Sequence, residues 1–263
     1  MTFGKIGARK MIHHGPVLPI GARWVEYLES TGTQWIDTGV TISSGSTNIS
    51  IMFDFIPTYA LRDPAENGIL GVSNFGSRYF GVNWTSLQNR GLQILYGSKM
   101  VNTELSSGIR YKVVMSPTVT SVNGEAILAT YDSYFNRSPL NIYIFAMNAL
   151  DSSNVHHINP QSATAYGFDA FDNDTLVRRL RPIAIGNKGY MLDLLTGKYE
   201  QYGNKGTGDF VIGPTIAYPE RERERKRERE SKQLSGLIFH FNNYSTNNIF
   251  ESDFALSYLK EAA

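Results

Sequence analysis

Apolar and polar residues alternate along several short segments of the chain. The clearest case is NISIMFDFI, within residues 47–56, a pattern typical of a strand with one buried face, and Pro57 ends it. Other segments with strand character, separated by Gly, Asn, Ser and Pro, are residues 68–72, 79–84, 91–96, 109–116, 118–122, 126–131, 141–148, 165–171 and 176–185. Because no helical period interrupts this succession, it predicts an all-β fold rather than a parallel sheet with crossover helices.

The turns between these segments carry their own signals. Asn123-Gly124 is the strongest hairpin turn, because both central positions of a type I′ turn need positive φ. Residues 24–40, WVEYLESTGTQWIDTGV, are predicted as a β-hairpin whose turn is formed by residues 30–33. Residues 151–161 are predicted as a polar loop. Residues 189–213 are predicted as three strands, with Thr196-Gly197 and Gly206-Thr-Gly208 at the two turns between them.

Two of these segments carry a resemblance to a known family. EYLESTGTQWIDTGV, ending at Val40, is similar to the opening segment of concanavalin A-like (laminin-G-like) jelly-roll modules found in proteins of gut bacteria and their tailed phages. The closing signature of those modules is matched by Leu176-Val-Arg, Arg181-Pro182 and GYMLDLLTGKYEQYGNKGTGDFVIGP at residues 189–214. The resemblance implies a jelly-roll β-sandwich and a role in a virion or on a bacterial surface.

The composition changes on either side of the predicted sandwich, which we place at residues 22–217. Residues 1–21 form an N-terminal arm in which glycines and prolines alternate with apolar residues, so we expect it to dock on a neighbouring subunit or on its own sandwich. Residues 218–232 contain PERERERKRERE, predicted as a solvated helix or spacer because its acids cancel its bases. Residues 233–263 are predicted as a strand and an amphipathic helix, a small C-terminal appendage.

Composition and charge exclude several classes of function. The 263 residues include no cysteine, which excludes disulfides, thiolate catalysis and a cysteine zinc site. The formal charge of +1 offers no electrostatic basis for binding nucleic acid. The first residues lack the apolar segment of a signal peptide, and no stretch approaches the roughly 20 apolar residues of a membrane helix. We therefore expect no membrane partner, and a protein made in the cytoplasm that reaches a virion or an extracellular surface.

Five aspartates are candidates for a special role. Asp169, Asp172 and Asp174, in FDAFDNDT, place carboxylates close together, as calcium requires, and several lectins of the resembled fold hold calcium. The alternative is that Asp172-Asn173-Asp174 forms an ordinary turn, which is the interpretation we favour. Asp193 and Asp37 are predicted to anchor turns. No cofactor other than calcium is expected.

Two aromatic and amide-rich stretches are candidates for binding a glycan, since aromatic rings stack on pyranose rings and amides bond to hydroxyls. The first is the loop YDSYFNRSP and the second lies within residues 79–96. The candidate ligands are Tyr131, Tyr134, Asn136 and Arg137 in the first, and Asn83 and Trp84, together with Tyr79, Asn89 and Tyr96, in the second. The alternative role for such aromatic residues is packing in the core.

An enzymatic function is not expected. A glycoside hydrolase needs two carboxylates flanking the sugar bond, whereas the resembled glucanases carry a Glu-x-Asp-x-x-Glu run that this sequence lacks, and Glu26 and Glu29 belong to opposite faces of a strand. His13-His14 and His156-His157 cannot readily chelate one ion, because neighbours on an extended chain point to opposite sides. We predict a non-enzymatic, homo-oligomeric module whose partner is a cell-surface glycan or, alternatively, other virion subunits.

Overall fold

The computed structural model of the chain describes residues 17–42, 49–58, 68–74, 78–85, 91–97, 99–103, 106–128, 138–150, 153 and 155–217. The chain divides into two compact units, residues 1–216 and residues 217–263. The predicted spacer and C-terminal appendage, residues 218–263, lie outside the described residues. Of the predicted N-terminal arm, only residues 17–21 are described, and they form no strand.

The described residues form eighteen strands and one short 3-10 helix, which confirms the all-β prediction. In chain order the strands are β1 Ala22–Trp24, β2 Leu28–Thr31, β3 Ile36–Ile42, β4 Ile49–Pro57, β5 Gly68–Asn74, β6 Arg78–Thr85, β7 Gly91–Gly97, β8 Lys99–Thr103, β9 Tyr111–Met115, β10 Thr120–Val122, β11 Glu125–Leu128, β12 Ser138–Ile144, β13 Ala146–Leu150, β14 His156–Pro160, β15 Ser162–Asp172, β16 Thr175–Ile185, β17 Lys188–Asp193 and β18 Val211–Ile212. The 3-10 helix is Glu200–Tyr202.

These strands form two sheets that share one hydrophobic core. The first sheet has ten strands, with the central order β1-β16-β15-β4-β9-β10-β11, and the second has eight, with β3-β12-β5-β6-β7-β8 as consecutive neighbours. Core side chains come from both sheets, for example Phe53 and Phe168 from the first and Phe80 and Ile144 from the second. The fold is therefore a two-sheet β-sandwich.

Strand β4 shows how the sequence pattern produces this architecture. Its residues alternate between buried and half-buried, and Phe53 and Phe55 stack with ring centroids 4.9 Å apart in the core. It lies between β15 and β9 in antiparallel register, so both of its edges are paired. The Tyr96 hydroxyl of β7 donates to the Ile49 carbonyl at 2.9 Å, which joins the two sheets by a hydrogen bond inside the core.

The predicted hairpin turn at Asn123-Gly124 is confirmed. Asn123 has φ +52° and Gly124 has φ +91°, and the turn joins the antiparallel strands β10 and β11. The Asn123 side chain also accepts a hydrogen bond from the Lys112 backbone N–H at 2.8 Å, which ties the turn to β9.

Replacing Gly124 by alanine should lower the free energy of unfolding by about 1–2 kcal/mol. A Cβ at this position would meet no atom within 4 Å, so the expected cost comes from the positive φ and not from a clash. Urea unfolding curves give the measurement, and Glu125→Ala, at an exposed position of the same hairpin, is the control with an expected effect within about 0.5 kcal/mol. Equal stabilities of the two variants would contradict the prediction.

The hairpin predicted for residues 24–40 is wrong, because its two strands belong to different sheets. β2 pairs with β15 and β18 in the ten-stranded sheet, whereas β3 pairs with β12 in the eight-stranded sheet. The connection is held by Gln34, which is buried and whose Oε1 accepts a hydrogen bond from the Thr31 backbone N–H at 2.8 Å. The segment thus forms an arch from one layer of the sandwich to the other.

Four further segments differ from what the sequence predicts. The polar loop predicted for residues 151–161 contains β14, which pairs with β13. The single strand predicted for residues 141–148 is broken at Phe145, which is fully buried with φ +68° and separates β12 from β13. The central strand predicted within residues 189–213 is replaced by the 3-10 helix. Strand β8 was not predicted.

Candidate functional site

Most of the predicted glycan ligands lie in segments that the structure does not describe, so their grouping stays a prediction. Tyr131, Tyr134, Asn136, Arg137 and Asn89 lie outside the described residues. Positions 83 and 84 are consecutive in β6 and so belong to opposite faces of the sheet. Tyr96 is 3% exposed and part of the core, so it cannot stack on a ligand. Of the described members, Asn83 is half-buried on β6.

The three aspartates predicted as a possible calcium site lie at an ion pair and at a tight turn. Asp169 is 5% exposed and forms a bidentate ion pair with Arg181, at 2.6 and 3.1 Å. Asp172 ends β15, and Asp174 follows Asn173 in a tight turn in which both residues have positive φ. Within the described part of the chain, no group of three or more His, Asp or Glu side chains could hold a metal ion. The favoured alternative, a hairpin turn between β15 and β16, is confirmed.

An aromatic pair lies on the eight-stranded sheet instead. Trp35, directly before β3, stacks on Tyr143 of β12, with ring centroids 4.3 Å apart and an interplanar angle of 24°. Tyr143 is 8% exposed, whereas Trp35 is half-buried and also packs against the hydrophobic core. Burial raises the pKa of the Tyr143 phenol, and the neighbouring Asp37 carboxylate raises it further.

A carboxylate and an amide adjoin this pair on the outer face of the sheet. Asp37 lies directly opposite Tyr143 in the β3–β12 register, and its neighbour Ile36 points into the core. Asp37 Oδ2 accepts a hydrogen bond from Asn141 Nδ2 at 3.0 Å, and Oδ1 accepts one from the Gly39 backbone N–H at 2.8 Å. The turn predicted at Asp37 is wrong, because β3 continues through this position from Ile36 to Ile42. The second bond lies inside the strand, at Gly39, where φ is +66°. We call Trp35, Asp37, Asn141 and Tyr143 the Trp35 patch.

Two buried contacts fix the strand that carries half of the Trp35 patch. Asn148 is 1% exposed, and its Nδ2 donates to the Asn141 carbonyl at 2.8 Å. Its Oδ1 pairs with Nε2 of the exposed His156. On the other side, the Thr38 hydroxyl donates to the Ile142 carbonyl at 2.7 Å. These bonds hold β12 against β3 and β13 and so fix the position of Asn141.

The Trp35 backbone is held by the loop that follows the 3-10 helix. Its N–H donates to Asn204 Oδ1 at 3.3 Å, and its carbonyl accepts from the Lys205 N–H at 2.9 Å. The next bond joins the Thr207 N–H to the Thr33 carbonyl at 3.1 Å. The opening and closing segments that carry the family resemblance therefore contact each other directly.

A second aromatic cluster lies on the ten-stranded sheet, and an arginine side chain of the same protein covers one of its rings. The Arg110 guanidinium lies 3.6 Å from the ring centroid of Tyr166, and Tyr27 meets the same ring edge-on. Arg110 also forms a bidentate ion pair with Asp54, at 2.7 and 2.9 Å, and this hydrogen bond raises the pKa of Arg110. Because the guanidinium covers the Tyr166 face, this cluster is less suited than the Trp35 patch to stacking on a ligand.

No protein-family model matches the sequence, and a search of the curated proteins found no match. The resemblance to concanavalin A-like modules therefore stays a prediction. Within the described residues, no helix has the length and apolar character that crossing a membrane requires. The fold and the site define the class: a two-sheet β-sandwich protein with an aromatic and carboxylate patch on the outer face of one sheet.

The sequence contained part of the signal for this patch. Trp35 and Asp37 lie in the opening segment that carries the resemblance, and their spacing of two residues places them on one face of a strand. Asn141 and Tyr143 have the same spacing in a segment predicted as a strand. The missing information was the pairing of β3 with β12, which joins residues 104 positions apart.

Proposed function

We propose that this chain is a non-enzymatic glycan-binding module, a concanavalin A-like jelly roll used by a phage virion or a bacterial surface for attachment to a cell. The observation that carries the proposal is the Trp35 patch, in which a half-buried tryptophan lies beside a carboxylate and an amide. The two-sheet sandwich and the contact between the two resembling segments support the choice of family.

The chemistry of the patch suits a saccharide. A pyranose ring has an apolar face, formed by its C–H groups, that packs on an indole, and hydroxyls around its rim that need hydrogen-bond partners. Asp37 and Asn141 supply acceptors and donors at the edge of the aromatic pair, and their own mutual bond keeps them in place before a ligand arrives. A rigid, preformed site loses less entropy on binding.

A glycan site with low affinity is more effective when an oligomer presents several copies of it. A largely buried patch of this size covers little ligand surface, so we expect modest affinity per site and a homo-oligomer that gains avidity by engaging several sugars at once. A virion or an extracellular surface is the location at which such a module meets glycans. The alternative partner remains another virion subunit, in which case the sandwich would be purely structural.

Hydrolysis is the less favoured alternative. A glycosidase places two carboxylates on opposite sides of the scissile bond, roughly 5 to 9.5 Å apart. The Trp35 patch combines one carboxylate, Asp37, with an amide. The buried carboxylate of Asp193 already forms an ion pair with Arg178 at 2.7 Å. The absence of released reducing ends after incubation with a bound polysaccharide would agree with a binding function.

Replacing Trp35 by alanine should weaken glycan binding at least about tenfold, equal to ~1.4 kcal/mol. The full-length protein is titrated with polysaccharides from capsules and cell walls, and the best ligand is then used for the variants. Tyr27→Ala, which removes an aromatic side chain from the other sheet, is the matched control and should bind normally. Asn141→Ala tests the same patch without removing a large side chain.

Two results would contradict the proposal. Saturable binding that survives Trp35→Ala and Asn141→Ala would place the glycan site elsewhere. Binding to no polysaccharide would favour the structural alternative, in which the partners are other subunits. Circular dichroism melting curves distinguish lost binding from lost folding in each variant.

A further inference from the structure

We propose that the Trp35 patch selects a positively charged saccharide, an amino sugar with a free ammonium group. This inference rests on the function proposed above, since it names the class of ligand that the same site takes. It is argued from the charges around Asp37 and from the aromatic pair beside it.

The carboxylate of Asp37 keeps part of its hydrogen-bonding capacity. Its two described donors, the Gly39 N–H and Asn141 Nδ2, are neutral, so they orient the carboxylate without neutralising it. A carboxylate offers about four acceptor positions, of which these bonds use two. The remaining positions can accept hydrogen bonds from a ligand, and charge-assisted bonds from an ammonium group are the stronger kind.

The nearby cation does not compensate for Asp37. Arg178 approaches β3, with its Nη2 3.6 Å from the position that a Cβ on Gly39 would take. Its Nη1, however, lies 2.7 Å from Asp193, so the Arg178 charge is already balanced by a buried carboxylate. Tyr202, between these groups, has its pKa raised by burial and stays neutral. Among the described residues, the exposed Lys205 also comes close to the patch, because its backbone bonds to Trp35.

The aromatic pair adds a second attraction for the same charge. A cation near an aromatic face is attracted by the ring quadrupole, and tryptophan gives the strongest interaction. Trp35 is half-buried, and it lies two positions before Asp37 and so on the same face of the strand. An ammonium group bound there meets a carboxylate and an indole together. A uronic acid or a phosphorylated sugar would meet the Asp37 carboxylate with a like charge.

The test compares two oligosaccharides that differ only in that charge. Full-length protein is titrated calorimetrically with glucosamine hexamer and with N-acetylglucosamine hexamer, at pH 6 and at two salt concentrations. We expect the glucosamine hexamer to bind at least about tenfold more tightly, with a smaller ratio at the higher salt concentration. Asp37→Asn keeps the shape of the side chain and removes its charge, so it should reduce the ratio to near one.

Three controls separate this preference from general attraction of cations. A lysine hexamer carries comparable charge without sugar rings and should bind much more weakly than the glucosamine hexamer. Lys205→Ala removes the exposed cation beside the patch and should keep or increase the preference. Asp209→Asn, at an exposed carboxylate paired with Lys188, should leave the ratio unchanged.

The possible results bear differently on the two proposals. Equal or tighter binding of the acetylated hexamer, or an unchanged ratio in Asp37→Asn, would overturn the charge selection and leave glycan binding intact. Binding of the lysine hexamer as tight as that of the glucosamine hexamer would also overturn it. If neither of these sugars nor any polysaccharide binds, both proposals fail.

Discussion

Replacing Asp193 by alanine is expected to lower the free energy of unfolding by about 3–5 kcal/mol, because it leaves a partly buried cation without its partner. Asp193 is 0% exposed and accepts four hydrogen bonds. Its Oδ2 binds Arg178 Nη1 at 2.7 Å and the Thr196 hydroxyl at 2.8 Å, and its Oδ1 accepts from the backbone N–H groups of Leu195 at 3.2 Å and Arg179 at 3.3 Å. The loss of one carboxylate therefore affects both an ion pair and a turn.

The matched control is an ion pair of equally short distance at the surface. Lys188 Nζ lies 2.6 Å from Asp209, and both side chains are at least half exposed. Exposed pairs contribute about 0–1 kcal/mol, so Asp209→Ala should leave stability nearly unchanged. Chemical denaturation of both variants measures the difference. If Asp193→Ala proved no more destabilising than Asp209→Ala, the Asp193–Arg178 pair would contribute no more than a surface contact.

The position of Asp193 in a turn could be predicted from the sequence more easily than its contribution to the free energy of unfolding. The order Asp-Leu-Leu-Thr-Gly indicates a turn, and the structure shows the Gly197 N–H bonded to the Asp193 carbonyl at 2.8 Å. The partner Arg178 is different, because it lies on the preceding strand and reaches Asp193 only after β16 and β17 pair. Local patterns predict turns, but they do not predict which charges become buried together.

The same limit explains the error at residues 24–40. A polar turn between two apolar segments is equally compatible with a hairpin and with an arch between sheets. The two cases differ in whether Leu28 and Ile36 lie in one sheet or in opposite sheets, and that depends on β15 and β12, more than 100 positions further along the chain. β4 was predictable because its alternation alone determines which side chains enter the core.

Phe145 shows a second limit of prediction from sequence, since a residue of its type rarely adopts its backbone conformation. A large residue at φ +68° is rare, and sequence patterns place glycine or asparagine at such positions. The structure compensates through burial, because Phe145 is fully buried and packs against Phe210 with ring centroids 5.5 Å apart. Its N–H also donates to the Ile69 carbonyl at 2.7 Å. Tertiary contacts thus override the local preference and divide one predicted strand into β12 and β13.

Replacing Gly206 by alanine should destabilise the protein by about 3 kcal/mol, at the upper end of what overpacking costs. A Cβ on Gly206 would lie 1.9 Å from the Thr33 carbonyl oxygen and 3.1 Å from Gln34 Cα. These are backbone atoms of the arch between the two sheets, so they cannot rotate away as a side chain would. The loop carrying Asn204 must then move away from the arch.

Measuring glycan binding as well as stability shows whether this loop movement only relieves a local clash or also disturbs the Trp35 patch. The same loop holds the Trp35 backbone through Asn204 and Lys205, so Gly206→Ala should weaken glycan binding as well as lower the unfolding midpoint in urea. The matched control is Gly186→Ala in the turn after β16, where φ is +58° and a Cβ would meet nothing within 4 Å. That variant carries backbone strain alone, so it should cost only about 1–2 kcal/mol and leave binding unchanged. Equal stability losses in the two variants would mean that the loop yields easily, and that contact between the opening and closing segments does not position Trp35.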